Sequence, residues 1–341
     1  MDDKLVLARG SWKYAAMGRM LRIMGAVAPR RVDRIMSNPR GTATPRFPDL
    51  LRLLEAAGGI MSPTAQYPAE FLSIPTQNVT IPGPDGVVRG RVYRPHTTPE
   101  AGLVWVHGGG FVGGDLDMTE SHGVGLALAH QGVAVLTLDY RKALNGIHYP
   151  APSDDVLAGW RWAVRNDERL GVDASKLHLA GASAGGNLVA GVTKRLRDTP
   201  GSRLPRTVVL AYPLLHSEAL PWDDAEIDRI RTGAAGNFFE PQDLTDMAHN
   251  YAGRRSVLDD PYAFPPNGDL SGLPPFFIIT AEYDSIRASG EHFARALRAA
   301  AGTAVLTMQS ETAHGILAEP FSSKAAEALQ LIRSWIAKPA A

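Results

Sequence analysis

The apolar positions of this chain change period along its length. Tyr14, Met17, Met20, Leu21, Met24 and Val27 recur at three-to-four spacing, the signature of one helix face, and Pro29 closes the pattern. Leu50, Leu51, Leu53 and Leu54 predict a second helix over 49–57, ended by Gly58-Gly59. From Asn78 the pattern becomes strand-like. Val79-Thr80-Ile81 and the run from Val87 to Tyr93 flank Pro82-Gly83-Pro84-Asp85-Gly86, which reads as a hairpin. Six continuous apolar runs follow, at 102–106, 132–139, 177–180, 207–215, 276–280 and 305–308. Runs of that kind suit strands buried on both faces. Helical patterns lie between them at 121–131, 152–166 and 286–300, and a last one covers 323–337. The alternation predicts an α/β fold with a mostly parallel, eight-stranded sheet and helices on both faces.

The run at Leu177 stops abruptly at Gly181-Ala182-Ser183-Ala184-Gly185, and a helical pattern begins at Gly186. A strand that turns this sharply into a helix strains the serine backbone, so the neighbours must be small. Gly181, Ala182, Ala184, Gly185 and Gly186 all are. G-x-S-x-G between a strand and a helix is the nucleophile elbow of the α/β-hydrolases, and it projects its serine from the carboxyl edge of the sheet.

A serine hydroxyl needs a base to take its proton and an acid to orient the base. In this fold they follow the serine in the order acid, then histidine. The 276–280 strand runs into Ala281-Glu282-Tyr283-Asp284. Asp284 is the favoured acid because it lies farther out in the loop, with Glu282 as the alternative. Four histidines follow the elbow; His216 and His249 precede Asp284, and His292 falls within a helix pattern. His314, in a loop beyond the last strand and followed by Gly315, is the expected base. A tetrahedral intermediate also needs donors for its oxyanion. His107-Gly108-Gly109-Gly110 places side-chain-free N–H groups at a strand end, and Ala184 supplies the N–H after the nucleophile.

Composition narrows the alternatives. The 341 residues carry a formal net charge of zero, which gives no reason to expect a nucleic-acid partner. There is no cysteine, so disulfides, thiolate metal sites and a cysteine nucleophile are excluded. The amino terminus reads poorly as a secretory signal, no stretch approaches the length of a membrane span, and a cytoplasmic protein is the expectation.

Taken in order, HGGGF with Gly113-Gly114-Asp115, Asp139-Tyr140-Arg141, GASAGG, AEYD and His314-Gly315 resemble the bacterial hormone-sensitive-lipase-like carboxylesterases. The resemblance covers residue 75 to the end. It implies an α/β-hydrolase core at 76–215 and 270–341. It also implies a helical cap built from 1–75 and from the insert at 216–269. By motif match Ser183, Asp284 and His314 are the triad. Gly109, Gly110 and Ala184 are the oxyanion donors, with Gly108 supporting their turn. The activity implied is hydrolysis of short- to medium-chain acyl esters of small molecules through an acyl-enzyme, with no metal or organic cofactor, and the assembly implied is a homodimer. Two other readings keep the fold: an amidase, N-deacylase or carbamate hydrolase using the same triad, and a non-catalytic small-molecule receptor. Gibberellin receptors resemble the family but depart at the histidine, which this chain keeps. Three departures stand out. Ala182 replaces an acid before the serine, Asp284-Ser285-Ile286 replaces Asp-Pro-Leu, and Glu311-Thr312-Ala313 replaces a turn with proline.

Charge and pocket residues complete the expectations. The first 46 residues hold ten Lys/Arg against three Asp, and 216–269 holds eleven Asp/Glu against four Arg. The two segments are expected either to dock through this contrast or to face water separately. Phe111 and Tyr212 follow strand ends and are expected to bind substrate. The N-terminal methionines, Trp222, Phe238 and Phe239 are candidates for an acyl site under the cap. Asp154 and Asp155 open a helix and are read as complements to its dipole.

Overall fold

The computed structural model describes residues 67–234 and 238–337. The two helices expected before residue 60, the basic segment and its methionines lie outside the described residues. A short helix α1 (Ala69–Leu72) leads into β1 (Thr76–Gly83) and β2 (Gly86–Tyr93), the expected hairpin, with Gly83 opposite Gly86. In chain order there follow β3 (Ala101–Val106), α2 (Thr119–His130), β4 (Val133–Asp139), α3 (Ala151–Arg165) and α4 (Asp167–Leu170). Next come β5 (Leu177–Ala182), α5 (Ala184–Arg197), β6 (Val208–Ala211), α6 (Asp224–Gly233) and α7 (Pro241–Ala252). The chain closes with β7 (Phe276–Tyr283), α8 (Arg287–Ala299), β8 (Ala304–Ala313) and α9 (Ser323–Ile336).

The strands form one eight-stranded sheet in the order β1-β2-β4-β3-β5-β6-β7-β8. β2 is antiparallel to both neighbours, and the six strands from β4 to β8 are parallel. Side-chain alternation explains why the buried runs are apolar throughout. Val104 and Val106 of β3 join the core under α3, α5 and α8, while Leu103 and Trp105 join the core under α2 and α9. After β3 the chain moves to β4 on one side, then crosses back to place β5 on the other. Open α/β sheets bind ligands at this kind of reversal, outside the carboxyl ends of the strands. His107 and Ser183 follow those two ends directly.

Two strand lengths differ from expectation. β6 stops at Ala211 because Tyr212 takes a φ of 38° and Pro213 has no N–H to continue the ladder. β8 continues past Met308 to Ala313. Among the described residues it is an edge strand paired only to β7, so its last residues can be polar and still be strand. His314 therefore follows the strand directly instead of lying in a loop.

The insert contributes α6 and α7, and no strand lies among its described residues. Many of its acids have partners close by. Glu226 pairs with Arg229 and Arg287, Glu240 with Arg231, and Asp269 with Arg197. Asp154 lies in the first turn of α3, as its reading as a dipole complement requires, and it is Asp155 whose reading needs correction. Asp155 is buried and accepts from the backbone N–H and the guanidinium of Arg141, while Asp154 pairs with Arg195. These acids anchor the chain after β4 and tie α3 to α5.

Candidate active site

The elbow is built as its small residues demand. Ser183 holds a φ of 52° and a ψ of −120°, a sparsely populated conformation for a residue with a Cβ. Its N–H donates to Ala211 O at 2.9 Å, and its carbonyl accepts from Leu214 N at 3.2 Å. A Cβ on Gly181 would lie 2.5 Å from Gly185 O, and one on Gly185 would lie 2.3 Å from His107 O. Gly181 is thus required by the tightness of the elbow itself, and Gly185 by its close passage against the end of β3 and His107.

Asp284 follows β7 and is fully buried; His314 follows β8 and is nearly so. His314 Nδ1 lies 2.9 Å from Asp284 Oδ2, and Nε2 lies 3.0 Å from Ser183 Oγ. With Nδ1–H donated to the carboxylate, Nε2 carries the lone pair that accepts the serine proton. Tyr212 and Phe239 stand steeply inclined to the imidazole in T-shaped contacts, with ring centroids 5.0 and 5.1 Å away. Burial disfavours the imidazolium, but the charge and hydrogen bond of Asp284 outweigh it, Glu120 adds to them, and the pKa of His314 is raised.

Glu282 is turned away from the histidine. Its carboxylate accepts from Glu311 N at 2.8 Å and from Arg229 at 2.6 Å. The first of these bonds closes an irregularity in the β7–β8 ladder, where Tyr283 pairs with Ala313 although Ala281 pairs with Gln309. Glu311 takes a φ of 57° there. The extra residues of β8 are accommodated at this bulge, and such a kink re-aims the side chains beyond it. His314 is the first residue past it.

The loss of Asp-Pro-Leu after the acid is offset by contacts to the insert. Ile286 N donates to Asp284 Oδ1 at 2.9 Å. Ser285 Oγ accepts from Phe239 N at 3.1 Å, and Ser285 O accepts from the Trp222 indole at 3.2 Å. The loop that carries the acid is therefore held by the insert it supports.

Gly109 and Gly110 line a narrow cavity of about 50 Å³ together with Ser183 and His314. The N–H groups of Gly109, Gly110 and Ala184 have no acceptor among the described residues. The N–H of Gly108 is engaged, donating to Glu120 Oε2 at 2.6 Å, so Gly108 shapes the turn without offering a donor to the cavity. His107 and Tyr140 brace the same turn. The His107 ring donates from Nδ1 to Gly108 O at 2.7 Å, and Tyr140 stacks on it and donates to Gly108 O at 3.0 Å. Burial, with Lys142 nearby, lowers the His107 pKa to about 3, so this ring stays neutral.

Phe111 and Tyr212 are not where the sequence placed them. Phe111 is fully buried and stacks on Tyr251, ring centroids 4.1 Å apart. Tyr212 is buried, with its hydroxyl 2.7 Å from Glu120 Oε1. Neither lines the cavity; both follow a strand end at a positive φ, which turns the side chain into the core. Phe239 does line it, with Met118, Leu214, Met247 and Ile286, which the sequence did not single out. They come from separate segments, and no local pattern marks them. Phe239 also lines a neighbouring cavity of about 420 Å³ with Trp222 and Phe238. Among the described residues no cluster of His, Asp or Glu is arranged to hold a metal ion. No described helix is long and apolar enough to cross a membrane.

Residues 103–318 match the family model described as the alpha/beta hydrolase fold. The chain is 30% identical to Esterase LipI of Mycobacterium tuberculosis over 249 residues, 70% of this chain and 73% of that protein. It is 36% identical to Carboxylic ester hydrolase LipN of the same organism over 262 residues, 73% of this chain and 66% of that protein. Among solved structures it is similar to the esterase of Pyrobaculum calidifontis, with a TM-score of 0.71 at 28% identity, covering 91% of this chain and 98% of that one. The chain belongs to the α/β-hydrolase fold family, among its hormone-sensitive-lipase-like carboxylic ester hydrolases.

Proposed function

We propose that this protein is a serine carboxylesterase in which Ser183 attacks the acyl carbon, His314 takes and returns the proton, and Asp284 holds the imidazole tautomer. The observation that carries this reading is the unbroken contact from Asp284 through His314 to Ser183, at 2.9 and 3.0 Å. In the first step Ser183 Oγ bonds to the carbonyl carbon while its proton moves to His314 Nε2. The carbonyl oxygen takes the negative charge and meets the N–H groups of Gly109, Gly110 and Ala184. Collapse expels the alcohol, protonated by His314. Water, deprotonated by the same nitrogen, then releases the acid and regenerates Ser183. Removing one such oxyanion donor typically costs roughly 3–4 kcal/mol of barrier.

The insert at 216–269 acts as a cap, with Phe239 and Met247 as its contribution to the cavity wall. The narrowness of that cavity supports short acyl groups, and the wider cavity beyond Phe239 supports room for a longer group on one side of the ester. In a series of p-nitrophenyl esters from acetate to laurate, kcat/KM should peak at the short end. Turnover of none of them by folded protein would overturn the esterase reading. The same reading carries a cytoplasmic location and a homodimer. Strand β8, at the sheet edge among the described residues and with Val305 and Met308 exposed, gives a second copy a surface, and sedimentation tests it.

Catalysis requires neutral His314. Its pKa is raised above the ordinary 6.5, so protonation removes the base at a higher pH than for a free imidazole. The rate constant kcat/KM should fall with decreasing pH through a midpoint above 6.5. A midpoint at or below that value would count against the Asp284–His314 coupling.

A further inference from the structure

The cavity holds a second buried carboxyl that the triad does not use. Glu120, in the first turn of α2, is 4% exposed and lines the cavity with Ser183 and His314. Its main chain is fixed, because the Trp105 indole donates to Glu120 O at 2.7 Å. Its carboxyl has two contacts of different origin. Oε2 accepts from Gly108 N at 2.6 Å, at the root of the glycine turn. Oε1 meets the Tyr212 hydroxyl at 2.7 Å, and that hydroxyl accepts from Leu317 N at 3.2 Å. Leu317 lies three residues beyond His314. A Cβ on Gly108 would sit 2.8 Å from Glu120 Oε2 and 3.0 Å from Ser183 Cβ, so the carboxyl reaches the turn right beside the nucleophile.

Burying a carboxyl costs free energy unless its oxygens are satisfied, and burial raises the pKa of Glu120. A side chain kept under that penalty, and spent on two catalytic loops, has a role that packing alone does not explain. We propose that Glu120 is a positioning residue: through Gly108 N–H and the Tyr212 hydroxyl it sets the spacing between the oxyanion turn and the loop that carries His314. The inference rests on the esterase reading above.

Its effect belongs to the transition state, because the N–H groups of Gly109 and Gly110 must meet the oxyanion and not the ground-state carbonyl. Misplacing a catalytic group by about 1 Å costs up to about 10²-fold. Glu120→Ala should therefore lower kcat on the best p-nitrophenyl ester roughly 10- to 100-fold while KM stays within about threefold. Affinity for a trifluoromethyl ketone, which forms the tetrahedral adduct, should fall in proportion to kcat/KM. Glu120→Gln keeps an oxygen for Gly108 N–H and reverses the other bond, its amide N–H donating to the second lone pair of the Tyr212 hydroxyl, and should restore kcat to within about fivefold of wild type. If Glu120→Ala does not fold, Tyr212→Phe carries the test, with kcat expected to fall about three- to tenfold. Wild-type kcat in the variant that is read, a loss confined to KM, or a folded Glu120→Gln no better than Glu120→Ala would overturn the proposal. An inactive wild type would instead overturn the esterase reading.

Discussion

Ser183→Ala should lower kcat on a p-nitrophenyl ester by on the order of 10⁵- to 10⁶-fold, with the circular-dichroism spectrum unchanged. The size of the effect follows from what one oxygen does here. Among the described residues lining the cavity, its hydroxyl is the nucleophile whose oxygen lies 3.0 Å from His314 Nε2. Without it no acyl-enzyme forms, and what remains is hydrolysis by water in a site that still holds its oxyanion donors. That remainder is about 10³- to 10⁴-fold above the uncatalysed rate. The fold should survive, because the elbow is held by main-chain bonds to Ala211 and Leu214 that alanine keeps. A variant retaining a hundredth or more of wild-type kcat would sink the assignment of Ser183 as nucleophile.

Asp284→Asn should cost about 10⁴-fold in kcat near neutral pH, although it changes no heavy-atom shape. The reason lies in which atom faces the histidine. Ile286 N donates to Asp284 Oδ1, so an asparagine would keep its oxygen there and turn its amide toward His314 Nδ1. An amide N–H can only donate, so Nδ1 would have to give up its proton and accept. The proton would move to Nε2, where it faces Ser183 Oγ, and the serine would lose its acceptor. Measuring kcat and thermal stability together separates this from unfolding. Glu282→Gln is the companion measurement, since that carboxylate serves the β7–β8 bulge and Arg229. It should retain far more activity than Asp284→Asn. The opposite ranking would return Glu282 to the role of catalytic acid.

Strands buried on both faces write themselves into a sequence as unbroken apolar runs, and β3, β4, β5 and β7 were legible for that reason. β8 was legible only in its first half, because an edge strand has one bonded neighbour and tolerates Gln309, Ser310 and Glu311. The elbow was legible because its steric demand falls on residues next to one another in the chain. Phe111 and Tyr212 were misplaced because a position just past a strand end says nothing about φ, and both backbones turn the ring inward.

The sequence by itself determined the class of fold, the elbow, the glycine turn and the order in which acid and histidine follow the serine. Each of these is a local demand met by neighbouring residues. Only the tertiary structure set Asp284 rather than Glu282 against His314, tied the Gly108 N–H to Glu120, and brought Glu120, Tyr212 and Leu317 together. Those outcomes rest on which groups meet across the sheet edge after the chain has crossed it several times. Glu120 and Tyr212 stand 92 positions apart, and a hydrogen bond between such residues leaves no periodicity to read.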